Sequence, residues 1–212
     1  MKYVGFGCSW MYGSELVPPN ATTWHDTIKY QHDKCFLGLL GPNENLAHPG
    51  GTMKSMFYAF MNHAETASPD TFYVFAFTDP SRESWYDSTD REWKHSSWIT
   101  NGTNANNVNR FDNSYKDYVT HTWSEEYERM QYVTMASAMM NTAKAKGFKY
   151  IGFNSLPAYS INDKNMFWSG TCMKDHLLPN HFASGGHPNE EGHIWIAERV
   201  KEFIDTAYPN LI

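Results

Sequence analysis

Four short stretches carry residue types that could cooperate in chemistry. They are Gly7-Cys8-Ser9-Trp10, His48-Pro49-Gly50-Gly51, Thr78-Asp79-Pro80 and Ser184-Gly185-Gly186-His187-Pro188. A serine hydroxyl becomes a useful nucleophile when a base takes its proton, and histidine is the side chain that titrates in the right range. A serine, a histidine and glycine amides in one place are the minimum for acyl transfer. The base accepts the hydroxyl proton, and fixed N–H groups hold the oxyanion of the tetrahedral intermediate. Cys8 is a second nucleophile by type, although a thiol beside a buried strand is usually a small core residue.

Elements must bring these stretches together. Lys2 to Gly7 is β-prone, and Thr71–Thr78 (TFYVFAFT) and Phe148–Asn154 (FKYIGFN) are nearly all apolar. Such runs suit strands buried on both faces. A short extended piece over Asn43–Ala47 is broken by the His48-Pro49-Gly50-Gly51 turn. Between them lie candidate helices. One falls within Asn20–Gln31, another spans Thr52–Glu65 with apolar residues at helical spacing, and a long one runs from Ser124 to Lys146 and stops at Gly147. The last begins near Asn189, with Glu190 and Glu191 in its first turn, and reaches about Tyr208. Strands alternating with helices predict an α/β fold on a parallel sheet, where ligands bind at the carboxyl ends of the strands. Ser9, Gly50 and Thr78 each follow a strand, and His187 immediately precedes the final helix.

The chain of 212 residues, read as one domain over 1–212, has a formal net charge of -6 and no Lys/Arg cluster, which argues against nucleic acid as a partner. No apolar run is long enough to cross a bilayer, and no leader pattern is visible, so a cytoplasmic location is expected. Three scattered cysteines, Cys8, Cys35 and Cys172, form neither a disulfide framework nor a CxxC site. His176, His181, His187 and His193 cluster towards the end, but their spacing matches no zinc pattern. Residues 85–123, rich in Asn, Ser, Trp and Tyr, read as a long insertion: a substrate lid or a protein-contact surface.

The four stretches, in this order, resemble the blocks of the SGNH (GDSL-type) hydrolases. Gly-Phe-Gly-Cys8-Ser9 is similar to the first block with Cys8 in place of an aspartate, and Asn-Leu-Ala-His-Pro-Gly50-Gly51-Thr to the second. Ala76-Phe77-Thr78-Asp79 is similar to the third, with Ala76 for glycine and Thr78 for asparagine, and Ser184–Pro188 resembles the fifth. The variant looks like those of bacterial and tailed-phage proteins. The resemblance implies a flavodoxin-like three-layer α/β/α sandwich with a mostly parallel sheet. It implies Ser9 as nucleophile, His187 as base, and an oxyanion hole from Ser9, Gly50 and Thr78, with no metal or organic cofactor. Asp79 and Arg82 are candidate substrate contacts; Asp79 could equally cap the turn, and Arg82 could equally form a structural salt bridge to Glu83 or Asp79.

The family's acid would fall at Ser184, which carries no charge. Either Ser9 and His187 act as a dyad or another acid reaches the ring, and Asp175 is the nearest preceding carboxylate. The expected reaction is hydrolysis of a small ester, an acylated carbohydrate being the family-like choice, through an acyl-enzyme. The competing expectation is a non-catalytic binding or assembly module on the same scaffold, for example in a virion. Catalysis requires Ser9 Oγ within reach of a His187 nitrogen; a module that has lost activity could break that contact.

Overall fold

The computed structural model describes residues 1–20, 23–87, 92–96, 124–156 and 159–209. Five parallel strands form the central sheet: β1 (Lys2–Phe6), β2 (Asn43–Asn45), β3 (Thr71–Phe77), β6 (Lys149–Asn154) and β7 (Met166–Phe167), in the order β2-β1-β3-β6-β7. This is the α/β architecture expected. Every residue of β3 is buried, as a central strand covered on both faces must be. Its side chains alternate between two cores. Phe72, Val74 and Ala76 enter one, and Tyr73, Phe75 and Phe77 enter the other.

The first core is closed by α1 (Ser9–Tyr12), α2 (Trp24–Lys34), α3 (Phe36–Leu40), α6 (Met173–His176) and α7 (Glu190–Ala207). The second is closed by α4 (Met53–Thr66) and α5 (Glu125–Ala145), which supply Phe60, Tyr132 and Met139. Local chemistry fixes the helix starts. Thr23 caps α2 by accepting from the Asp26 N–H, and Thr52 and Ser55 form a reciprocal capping box at α4. Ser124 and Asn189 cap α5 and α7 in the same way. Helix α2 begins inside the expected Asn20–Gln31 stretch, at the Thr23 cap, and continues past Gln31 to Lys34.

One part of the 85–123 insertion departs from the expected irregular chain. Strands β4 (Glu83–Asp87) and β5 (Glu92–Ser96) pair antiparallel as a separate hairpin. Trp85, Tyr86 and Trp93 are β-formers by type, and they outweigh the polar residues around them. The remainder of that insertion, 88–91 and 97–123, lies outside the described residues. Strand β7 has only two residues, too few to leave a periodic signal. Among the described residues no helix is long and apolar enough to cross a membrane.

Candidate active site

Strand β1 delivers the chain to Gly7, where a side chain would crowd Met11 and Ala76 across the sheet. Cys8 is extended and wholly buried, as a core thiol would be, and Ser9 opens the one-turn helix α1. Gly13 closes that turn in the left-handed conformation, with its N–H on the Ser9 carbonyl. At the far end of the chain the segment before α7 folds into a tight turn. The Ala183 N–H donates to the His187 carbonyl at 2.8 Å, and the Gly186 N–H to that of Ala183 at 3.0 Å. This turn sets His187 Nε2 2.9 Å from Ser9 Oγ.

The other ring nitrogen meets an acid that sequence reading missed. His187 Nδ1 lies 2.7 Å from Glu15 Oε2. The same oxygen accepts the His187 N–H at 3.0 Å, while Glu15 Oε1 accepts the Gly185 N–H at 2.7 Å. A carboxylate can only accept, so Nδ1 carries the ring proton and Nε2 keeps its lone pair for the Ser9 hydroxyl. Partial burial pushes the Glu15 pKa up, but the hydrogen bonds from His187 and Gly185 and the attraction of the ring outweigh it. The group is held below its ordinary value of 4.5. Glu15 sits at φ 70°, a left-handed conformation uncommon for a side chain of its kind. The three hydrogen bonds hold it there.

The sequence-based acid is therefore corrected. Neither Asp175 nor Ser184 bonds the ring; Asp175 Oδ2 accepts from the Cys172 thiol at 3.1 Å and lies 3.5 Å from the Thr171 hydroxyl. That Cys172 thiol is itself pushed up to about 11, by burial first and then by its bond to Asp175. The signal for Glu15 was present in Gly13-Ser14-Glu15, directly after the serine turn. Nothing in linear spacing joins it to a histidine so distant along the chain.

The second stretch packs against the first. His48 N–H donates to the Gly7 carbonyl at 3.2 Å, Gly51 N–H to that of His48 at 2.8 Å, and Gly50 is left-handed at φ 74°. A side chain on Gly51 would meet Gly7 O at 2.8 Å and the Cys8 Cα at 3.5 Å, so only glycine lets the two backbones approach this closely. Among the described residues, neither the Ser9 nor the Gly50 N–H has a hydrogen-bond partner.

Thr78, at the end of β3, is fully buried, and its Oγ1 accepts from Arg82 Nη1 at 3.2 Å. With a lone pair engaged by Arg82, the hydroxyl proton is left to donate elsewhere. Asp79 holds the turn: its Oδ1 accepts from the Ser81 N–H at 2.8 Å and its carbonyl from the Arg82 N–H at 3.3 Å. The other clustered histidines have separate surroundings. His193 Nδ1 accepts from the Phe36 N–H, His181 Nδ1 accepts from the Leu178 N–H, and His176 stacks on Trp168. Among the described residues no three His, Cys, Asp or Glu side chains are grouped to hold a metal ion.

No protein-family model matches the sequence, and no curated protein matches it. Solved structures do resemble it. TesA superposes with a TM-score of 0.54 at 10% identity, over 97% of this chain and 99% of that one. A GDSL-like lipase from Bacteroides thetaiotaomicron gives 0.50 at 16% identity, over 97% and 88%. A carbohydrate esterase described as having divergent catalytic and non-catalytic binding functions gives 0.53 at 12%, over 96% and 68%. The chain has the fold of the SGNH (GDSL-type) hydrolases.

Proposed function

We propose that the protein hydrolyses a small carboxylic ester through an acyl-enzyme. The observation that carries this reading is the unbroken line Ser9 Oγ, His187 ring, Glu15 carboxylate, with successive contacts of 2.9 and 2.7 Å. His187 Nε2 takes the proton as Ser9 Oγ attacks the ester carbonyl. The imidazolium that forms is favoured by Glu15, and it returns the proton to the leaving alkoxide. The Ser9 and Gly50 N–H groups, with the Thr78 hydroxyl, are the donors assigned to the oxyanion. Water activated by the same histidine then cleaves the acyl-serine. No step in this sequence requires a metal or organic cofactor.

The intact Ser9–His187 contact and the charged partner behind it support catalysis over the binding-module reading, which leaned on the uncharged Ser184. An acylated carbohydrate remains the proposed substrate class. The test is hydrolysis of p-nitrophenyl acetate and butyrate by the wild type and by Ser9→Ala. Turnover lost in the variant supports the reading. Turnover equal in both assigns the activity to another site, and none in either, across a panel of acetylated sugars as well, overturns it.

A further inference from the structure

Arg82 stands apart from the other described arginines. Arg129 pairs with Glu126 and Arg199 with Glu202, each at 2.7 Å. Among the described residues no carboxylate pairs with Arg82. Neighbouring Asp79 accepts from the Ser81 N–H instead. The Arg82 guanidinium is half-buried and is fixed by Nη1, which donates to Thr78 Oγ1 at 3.2 Å. Its Nε and Nη2 donors have no partner among the described residues, and neither is cut off from solvent. A partly desolvated guanidinium favours an anionic partner. Its planar Nε–Nη2 edge matches the two oxygens of a carboxylate.

Arg82 borders a recess between α4 and α5, with Pro80, Lys54, Glu128 and Gln131 around it. Met53, also on its wall, opens α4 directly after the Gly50-Gly51-Thr52 turn. The recess therefore adjoins the groups assigned to the oxyanion. Lys54 and Arg82 outweigh Glu128 on its wall, so an anion is favoured over a neutral or cationic group. Its free space of about 10 Å³ holds roughly one water-sized group, which suits the tip of a carboxylate and not a ring. Two distances and directions narrow the ligand further. With Thr78 donating to the oxyanion at about 3 Å, Arg82 Nη1 lies at most about 6 Å from that oxygen. Arg82 reaches Thr78 from the α4 and α5 side of the sheet, whereas His187 reaches Ser9 from the α7 side. The leaving oxygen must lie at His187, so a group held by Arg82 belongs to the acyl part.

We propose that the Ser9 site prefers half-esters of short dicarboxylic acids, the free carboxylate of the acyl group being held by the Nε–Nη2 edge of Arg82. This rests on the ester-hydrolysis reading and specifies its acyl part; the carbohydrate proposed above stays the alcohol part. Ser9 Oγ bonds to the ester carbon, and the alcohol leaves with the proton from His187. Water then cleaves the acyl-serine, which releases the dicarboxylate and restores Ser9. Through both steps the carboxylate stays on Arg82. The same guanidinium fixes the Thr78 hydroxyl, so the matching acyl group also steadies the oxyanion donor. A neutral acyl group leaves the fork unpaired.

The test follows proton release by the full chain from ethyl hydrogen succinate and ethyl hydrogen glutarate. Ethyl 4-methylpentanoate and ethyl 5-methylhexanoate, in which an isopropyl group replaces the carboxylate, are the neutral counterparts. Wild type is expected to favour at least one half-ester by about tenfold or more in kcat/KM. Arg82→Met should abolish that preference, and Arg82→Lys, which keeps the charge without the fork, should restore part of it. Any loss that passes through Thr78 is common to both members of a pair and cancels in their ratio. In parallel, ¹⁵N-labelled Ser9→Ala is titrated with ethyl hydrogen glutarate, which should shift the Arg82 Nε–H signal saturably while the neutral ester does not. That shift without any turnover would keep the carboxylate site and sink the hydrolysis reading. Turnover without preference, or a preference that survives Arg82→Met, would sink the carboxylate site and keep the hydrolysis.

Discussion

Glu15 and His187 are 172 residues apart in sequence, and their side chains meet at 2.7 Å. The contact makes a charged partner for the ring out of a residue belonging to the loop that carries Ser9, the proposed nucleophile. Glu15→Gln tests its role with little change of shape. The amide can still accept from Gly185 N–H through its oxygen, but its NH₂ then faces the His187 ring and backbone donors. The tautomer that leaves Nε2 free is no longer favoured. We expect kcat to fall by roughly 10²- to 10⁴-fold with Ser9 intact, measured with p-nitrophenyl acetate. Asp175→Asn and Ser184→Ala should stay within about threefold of wild type, because a ring bonded to Glu15 has no vacancy for either. A drop of equal size in Asp175→Asn would sink the assignment.

Gly185 tests the same geometry without touching a reacting group. A methyl group there would fall on the Glu15 carboxylate, well inside van der Waals contact. The carboxylate ends a flexible side chain and can move aside, so folding should survive. The His187 ring would lose its fixed partner position. Gly185→Ala is expected to lower kcat by roughly 10- to 10²-fold, since displacements near an ångström carry costs of that order. Its melting temperature should shift little. Wild-type activity in this variant would mean that Glu15 placement is not what organises the ring.

Much of this was legible in the sequence, and the part that was not has a physical reason. Strands β1, β3 and β6 announced themselves because a strand covered on both faces must be apolar along its length. Ser9, Gly50, Thr78 and His187 could be placed at one edge because parallel strands present their carboxyl ends together. Glu15 could not be placed, because its contact depends on Gly13 and Glu15 itself taking left-handed conformations that turn the loop back. Strand propensity in Trp85, Tyr86 and Trp93 was hidden by polar neighbours. Contacts made by folding, rather than by spacing, leave no linear trace.

Thr78 directly follows β3, and its hydroxyl is oriented by Arg82. Thr78→Val removes the hydroxyl at nearly constant volume in a fully buried position. We expect kcat to drop by roughly 10- to 10²-fold with KM little changed, a loss confined to the transition state. Thr78→Ser should retain most activity. Because Arg82 donates to the same oxygen, Arg82→Met should give a smaller loss that disappears in the Thr78→Val background. Additive losses in the double variant would show that Arg82 acts on its own.

The acid side of the stability profile should be governed by a histidine outside the proposed chemistry. His193 is fully buried, its Nδ1 accepting from the Phe36 N–H, and burial first, then the neighbouring His187, lowers its pKa to about 3. The unfolded chain takes up that proton near 6.5, so between these values the unfolded state binds more protons and stability rises with pH. Full stability is present above about pH 6.5 and is lost as the pH falls towards 3. Between pH 7.5 and 5 the loss from this one group should be about 2 kcal/mol. His32, also lowered by burial, adds in the same direction. Glu15, a carboxylate with a lowered pKa, contributes above about 4.5 and loses its share only below that, so it does not act in this window. His193→Gln retains an acceptor for the Phe36 N–H but cannot titrate. Its urea midpoint, whatever its value at pH 7.5, should therefore fall less steeply towards pH 5 than that of the wild type, and parallel profiles would show that His193 does not set the slope.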